Sequence, residues 1–248
     1  MKNLRYRLAM RKHFWKEYFF TGEAELRELR NYVRKGSVAI DVGANNGCWS
    51  YHLSRFASRV HAFEPNPSYG ESLARLRMSN VMIEPFALSS TSGEAELRFP
   101  LLASGREDLG MASLETRAVG DEVLSRSIRI PLRRLDDYGF DNVSLIKIDV
   151  EGHEEEALAG AEQTIQRNRP NLFIEIEERH NPGGLQRIVA KLSDYGYDGF
   201  FFLGGQRQPL SEFDDSLQKE IPADEAARHN RRAVAYINNF LFTPRDIR

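Results

Sequence analysis

The stretch Val38-Ala-Ile-Asp-Val-Gly-Ala-Asn-Asn-Gly-Cys-Trp49 decides the fold. Its first five residues form a short apolar, β-branched run, which reads as a buried strand. Gly43 and Gly47 bracket a turn, and a helix is expected from Trp49 to Ala57. The pattern then repeats: a strand over Arg59 to Phe63, a helix over Pro67 to Ser79, and a strand over Val81 to Pro85. Strands and helices in that order imply a parallel sheet with right-handed crossovers. The alternation resumes with a strand over Val143 to Ile148, a helix over Glu154 to Asn168 stopped by Pro170, and a strand over Asn171 to Ile176. A helix over Gly184 to Tyr195 and strands over Gly199 to Leu203 and Ala233 to Phe242 complete an α/β, doubly wound sheet.

Two regions depart from this rhythm. Glu94 to Phe99 and Ser127 to Leu132 alternate like antiparallel strands, so residues 94–135 read as a β-hairpin insertion. The loop between them carries Gly105, Gly110 and Gly120 and is expected near the substrate side. Residues 1–36 read as an N-terminal helical extension ahead of a domain spanning 37–248, with Gly36 a C-cap for a helix over Glu23 to Arg34. The first helix mixes Lys2, Arg5, Arg7, Arg11, Lys12 and Lys16 with Phe14, Trp15, Tyr18, Phe19 and Phe20. A basic amphipathic helix can lie on a membrane surface or meet an acidic partner. Packing of its aromatics against the domain is the simpler expectation.

Composition narrows the class. The chain has 248 residues, 41% apolar and 28% charged, which suits a globular protein and argues against a disordered one. The single cysteine, Cys48, rules out an internal disulfide and fits a reducing compartment. A net charge of −2 argues against a dedicated nucleic-acid binder. No apolar run approaches the roughly 18 residues of a membrane-spanning helix, and the basic N-terminus lacks a secretory signal's apolar core, so a cytoplasmic location is expected.

The loop after the first strand points to a ligand. The dinucleotide fingerprint requires Gly-x-Gly-x-x-Gly, and here its central glycine is Asn45. That weakens a pyrophosphate reading. Glycine at 43 and 47 still lets the backbone approach a ligand, and Asp41 places a carboxylate at the loop's entrance. S-adenosylmethionine, with its ammonium, carboxylate and sulfonium, matches that pattern better. Glu64, ending the second strand in Phe63-Glu-Pro-Asn-Pro67, is placed to accept both hydroxyls of a ribose. The third strand leads into Glu84-Pro-Phe-Ala-Leu88, where an adenine fits. The cofactor-binding set is thus Asp41, Gly43, Ala44, Asn45, Gly47, Glu64, Pro65, Asn66, Ala87 and Asp149.

The segments Ala39-Ile-Asp-Val-Gly-Ala-Asn-Asn-Gly47, Phe63-Glu-Pro-Asn-Pro67, Leu145-Ile-Lys-Ile-Asp-Val-Glu-Gly-His-Glu154 and Leu158-Ala-Gly-Ala161, in that order, resemble the FkbM family of S-adenosylmethionine-dependent methyltransferases. The resemblance runs from about residue 37 to about residue 178, and its most specific element is Ile146-Lys-Ile-Asp-Val-Glu-Gly152. It implies a class I methyltransferase fold, a seven-stranded, mostly parallel sheet with an antiparallel last strand. It also implies O-methylation, often of a sugar or polyketide-type hydroxyl.

An alcohol needs its proton removed, or a metal to lower its pKa, before it attacks a methyl group. Asp149, Glu151, His153 and Glu154 crowd the end of the fourth strand, although acids there can also serve as helix caps. Glu175 and Glu177 close the fifth strand, and alternation sends both to one face. The catalytic candidates are Asp149, Glu151, His153 and Glu177, with His153 or Glu177 the favoured general base. A divalent cation held by Asp149, Glu151 and Glu175 or Glu177 is the less favoured alternative, since no spacing here is metal-specific. The expected partner is a small-molecule or saccharide acceptor. An NAD-type oxidoreductase and a non-catalytic cofactor-binding module are the competing readings.

Overall fold

The computed structural model describes residues 2–21, 24–101, 112–115, 125–218 and 236–245. An eight-stranded sheet forms the centre. Its strands are β1 (Val38–Val42), β2 (Arg59–Phe63), β3 (Val81–Glu84), β7 (Val143–Ile148), β8 (Asn171–Glu175), β9 (Tyr197–Leu203), β10 (Gln206–Pro209) and β11 (Asn239–Pro244). Their order is β10-β9-β11-β8-β7-β1-β2-β3. β1 pairs in parallel with β2 and β7, β2 with β3, and β7 with β8. β11 is inserted antiparallel between β8 and β9. This is the expected mostly parallel sheet with an antiparallel last strand, but with eight strands rather than seven, the additional one being the edge strand β10. Both of its faces are covered, and adjacent residues of β9 show it: Phe201 joins one apolar cluster and Phe202 the other.

The strand chemistry follows from burial. Every residue of β7 is buried, a continuous apolar run broken only by Ser144 and Lys147, as both-face coverage requires. A smaller sheet, in the order β4-β6-β5, sits beside the end of β3. It comprises β4 (Ala87–Leu88) with β5 (Gly93–Pro100) and β6 (Ser125–Arg133), the last two being the expected hairpin strands. Of the glycine-bearing loop between them, only residues 101 and 112–115 are described; Gly105, Gly110 and Gly120 lie outside the described residues.

Several expected elements differ, each for a physical reason. The single helix over Glu154 to Asn168 is two, and the helix over Glu23 to Arg34 is a short 3₁₀ turn followed by one α-helical turn. Numbered in chain order, the helices are α1 (Lys2–Lys16), α2 (Leu29–Tyr32), α3 (Cys48–Leu53), α4 (Pro67–Leu76), α5 (Glu154–Ala159), α6 (Glu162–Asn168) and α7 (Gly184–Asp194). The break between α5 and α6 is imposed from outside. Asp136 Oδ1 accepts from Thr164 N–H at 2.9 Å, capping α6 from a distant segment, while Asp136 N–H donates to Gly160 O at 2.9 Å. α2 stops early because Arg34 N–H donates to the Ser144 hydroxyl at 3.1 Å rather than along the helix. α4 ends where Arg77 turns left-handed, at φ 51°. The hairpin strand β10 was not expected from sequence. The two residues Gly204-Gly205, both at positive φ, form its turn. The final strand begins at Asn239 rather than at 233; residues 233–235 lie outside the described residues.

Three of the N-terminal aromatics, Phe14, Trp15 and Tyr18, pack on the domain, whereas Phe19 is about half exposed. Phe14 is fully buried against Ala44, Ala62, Leu73 and Leu76. Trp15 and Tyr18 contact the buried ring of His52. Burial pushes the His52 pKa down to about 4, so the ring is neutral near pH 7, and its Nε2 pairs with the Phe14 carbonyl at 3.2 Å.

Gly160 is a close-approach glycine. A Cβ there would stand 2.0 Å from the Ser89 carbonyl oxygen. Forcing extra atoms into such a contact costs about 1–3 kcal/mol. Gly160→Ala is therefore expected to lower the urea midpoint without changing the slope, a loss measurable by equilibrium denaturation.

Candidate active site

The carboxyl ends of β1, β2 and β7 converge on Gly43. Gly43 N–H and Ala44 N–H donate to the Phe63 carbonyl at 3.0 and 3.1 Å, and Asp149 N–H donates to the Val42 carbonyl at 3.0 Å. A Cβ on Gly43 would lie 1.9 Å from the Asp149 carbonyl oxygen, and its φ of 78° also demands glycine. The loop continues through Asn45 at φ 50° to Gly47 at φ 89°, where a Cβ would strike Leu73.

Two cavities flank this loop. One, about 690 Å³, is lined by Gly43, Glu64, Asn66, Phe86, Asp149 and His153, among others. The other, about 730 Å³, is a polar recess lined by Asp41, Asn46, Lys147 and Asp149 together with His13 of α1 and Glu17 just after it. Gly43, Asn45 and Asp149 belong to both.

Glu64 is held by two backbone donors: Asn45 N–H at 2.7 Å on Oε2 and Asn66 N–H at 2.8 Å on Oε1. Burial pushes its pKa up to about 7, against the opposing pull of those two donors. Each oxygen keeps a lone pair, enough to accept two further hydroxyl protons. Asn66 caps α4 by accepting from Ser68 N–H at 3.0 Å. Its Nδ2 is buried and has no hydrogen-bond partner among the described residues. A buried donor without an acceptor is costly, and a ligand acceptor would relieve it. Tyr69, Pro65, Phe86, Ala87 and Leu88 give the same cavity an apolar slot. A nucleoside fits this set, with its diol on Glu64 and its base in the slot.

Asp41 is 1% exposed and accepts from the Ser50 hydroxyl at 2.5 Å. Lys147 is its register partner across β1 and β7, so the two side chains share a face. The Lys147 ammonium donates to Asn239 Oδ1 at 2.8 Å, lies 3.8 Å from Glu175 and sits over the Trp49 ring at 5.0 Å. The recess therefore offers both signs of charge, as a zwitterionic tail requires.

The turn after β7 carries the remaining candidates. Glu151 lies at φ 48° beside Gly152 at 97°. The Ser113 hydroxyl donates to the Glu151 carbonyl at 2.6 Å, which ties the insertion to this turn. Two histidine–carboxylate pairs result. His153 Nδ1 is 2.8 Å from Glu115 and its Nε2 is 3.0 Å from the Ser89 hydroxyl. His180 Nδ1 is 2.6 Å from Glu151 Oε2. Asp149, Glu151 and His153 all line the cavity that holds Glu64 and Asn66.

Glu154 is turned away from that cavity. It accepts from Gly152 N–H at 2.7 Å, and burial pushes its pKa up to about 7. Glu175 and Glu177 do share a face, because Asn238 Nδ2 donates to both. Glu177 also pairs with Arg179, and it lines neither cavity among the described residues. Glu175 stands with Lys147, apart from Asp149 and Glu151 on their turn. Among the described residues no three His, Cys, Asp or Glu side chains converge as a metal site. Sequence reasoning pointed to His180 only as part of a polar loop over Arg179 to Gly184, and it missed Lys147, Asn238 and Tyr69. Lys147 carried a legible signal, being a charge inside an otherwise apolar strand.

Comparison with known proteins shows the family and the fold. The profile of the Methyltransferase FkbM domain matches residues 41–198. The 31-O-demethyl-FK506 methyltransferase FkbM of Streptomyces tacrolimicus is 28% identical, covering 66% of this chain and 74% of its own. The hexuronic acid methyltransferase AglP of Haloferax volcanii is 27% identical, covering 73% and 74%. Among solved structures, a methyltransferase FkbM from Methylobacillus flagellatus superposes with a TM-score of 0.52 at 16% identity over 84% of this chain, which spans 43% of that one. A Streptococcus mutans protein assigned as a methyltransferase, in complex with SAH, gives 0.50 at 13% identity over 88% and 94%. The fold is that of the class I methyltransferases, and the chain belongs to the FkbM methyltransferase family.

Proposed function

We propose that this protein transfers a methyl group from S-adenosylmethionine to a hydroxyl of a small-molecule or saccharide acceptor. The observation that carries the reading is the pairing of Glu64 with the partnerless Asn66 amide at the end of β2, opposite an apolar slot. The names of two relatives point the same way, one acting on 31-O-demethyl-FK506 and one on a hexuronic acid.

When bound, S-adenosylmethionine supplies an electrophilic methyl group. The chain's residues do the rest. Glu64 accepts the ribose hydroxyls, Asn66 donates to the nucleoside, and Pro65, Phe86 and Ala87 enclose the base. Gly43, Ala44, Asn45 and Gly47 let the backbone approach, and Asp41 with Asp149 holds the ammonium of the tail. Lys147 supplies positive potential for its carboxylate. His153 is the general base: with Nδ1–H donated to Glu115, Nε2 is the nitrogen that accepts a proton. Ser89 holds that nitrogen in the free protein, and the acceptor's proton reaches it from the cavity side. Glu151, steadied by His180, orients the acceptor. Exclusion of water by Leu97, Ala112 and Leu114 of the insertion keeps the reacting oxygen in place. No metal enters this scheme.

Four outcomes test it. Asp41→Ala and Glu64→Ala are each expected to weaken S-adenosylhomocysteine binding by more than about tenfold, since a buried charge–dipole partner is lost. Unchanged affinity in both, by calorimetric titration, removes the assigned site.

Glu64 also makes binding pH-dependent. Its folded pKa near 7 means that the free site holds a proton below that value. Accepting two hydroxyl hydrogen bonds favours the carboxylate, so binding drives the proton off. Affinity is expected to rise with pH up to about 7 and level off above it, with a limit of about tenfold per pH unit on the acid side. Calorimetry in two buffers of different ionisation enthalpy reads the released proton directly, and Glu64→Gln is expected to abolish the release.

His153→Ala is expected to lower kcat by about a hundredfold or more while cofactor affinity holds. Wild-type turnover is expected to survive chelator dialysis without gain from added Mg²⁺ or Mn²⁺. Activity lost on chelation and restored by metal overturns the metal-free scheme.

A further inference from the structure

The cofactor cleft uses only the inner side of the N-terminal helix. The outer side carries an unusual combination. Leu4 and Leu8, one helical turn apart, are each 58% exposed, and Phe19 further along is 52% exposed. Arg5, Arg11, Lys12 and Lys16 are exposed around them. Trp15 continues the apolar strip, stacked on Phe19 at 5.4 Å and covered by the Arg55 guanidinium at 4.5 Å. Residues 2–16 hold six basic side chains and no acidic one, in a chain whose net charge is −2. The first acid along the helix, Glu17, lines the recess with His13. Arg5, Arg11, Lys12 and Lys16 thus place positive charge on the outward side of the helix, while residues 17–248 are net acidic.

Charge alone would suit any polyanion. The interleaved leucines and aromatics do not: they gain nothing from a solvated phosphate backbone, and leaving them in water costs free energy. Aliphatic side chains bordered by Lys and Arg, with Trp and Phe at the same level, match a bilayer interface. There the apolar strip enters the acyl boundary and the cations meet anionic headgroups. We propose that the outer face of this helix docks the protein on an anionic phospholipid bilayer. The inner side of the same helix walls the recess, so docking would hold the cleft close to the lipid surface.

Vesicle flotation of the full chain tests this, using phosphatidylcholine vesicles with and without about one third phosphatidylglycerol at roughly physiological salt. The protein is expected to float with the anionic vesicles and to stay behind with the neutral ones. Arg11→Gln with Lys12→Gln is expected to weaken binding by about fivefold per charge removed. Leu4→Gln with Leu8→Gln keeps every charge and is expected to weaken it by about tenfold. Both double variants should retain the parent's circular dichroism and melting temperature, since these side chains face outward. The proposal is overturned if the parent fails to float with anionic vesicles. It is also overturned if the leucine variant binds as well as the parent, which marks a merely basic surface. A vesicle-independent dimer dispersed by the leucine substitutions would overturn it in favour of a second copy of this chain.

Discussion

The site depends on one crossing of backbones. Gly43 passes so close beneath Asp149 that its missing side chain is the condition for the strand ends to meet at all. The same few residues receive Asp149 N–H on Val42 and send two N–H groups to Phe63, so three strands are locked at one point. Both cavities open from that point, and each borrows Gly43, Asn45 and Asp149. The spacing between Glu64 and Asp41 is therefore set by backbone, not by adaptable side chains. Rigid positioning of this kind is what an in-line transfer needs.

Charge is arranged around that point in graded burial. Lys147 is an ion inside a strand that is otherwise apolar, and it is tolerated because Asn239, Glu175 and Trp49 surround it. Glu64 and Glu154 are carboxylates that burial drives toward neutrality, each compensated by backbone N–H groups. His153 and His180 sit on either side of the turn after β7, each matched to a glutamate from a different part of the chain. Glu115 comes from the insertion, and His180 from the loop after β8. The chemistry at this turn is assembled from three separate segments.

Much of the parallel sheet was legible because both-face burial writes itself as short apolar runs, as in Val38–Val42 and Val143–Ile148. Asp41, Glu64 and Asp149 were legible because strand-end position alone places them at the crevice. What failed was whatever a distant residue controls. The break in the helix after β7 is set by Asp136, and the early stop of α2 by Ser144. No local pattern reports either. The partners of Glu151 and Lys147 were likewise hidden, since contact across 29 and 92 residues leaves no periodic trace. The Gly204-Gly205 turn, by contrast, was a local signal that went unread.

The place of β11 has a consequence for how the protein comes off the ribosome. The strand closest to the C-terminus among those described is not added at an edge but slides between two made earlier, β8 and β9. Asn238 and Asn239, at its start, are the residues that hold Glu175, Glu177 and Lys147. A nascent chain that has already laid down the glycine loop and the β7 turn still lacks the amides that quiet this buried charge. Without β11 the sheet ends at β8, because β9 and β10 reach it only through β11, so two further strands and the amides beside Lys147 join the sheet together.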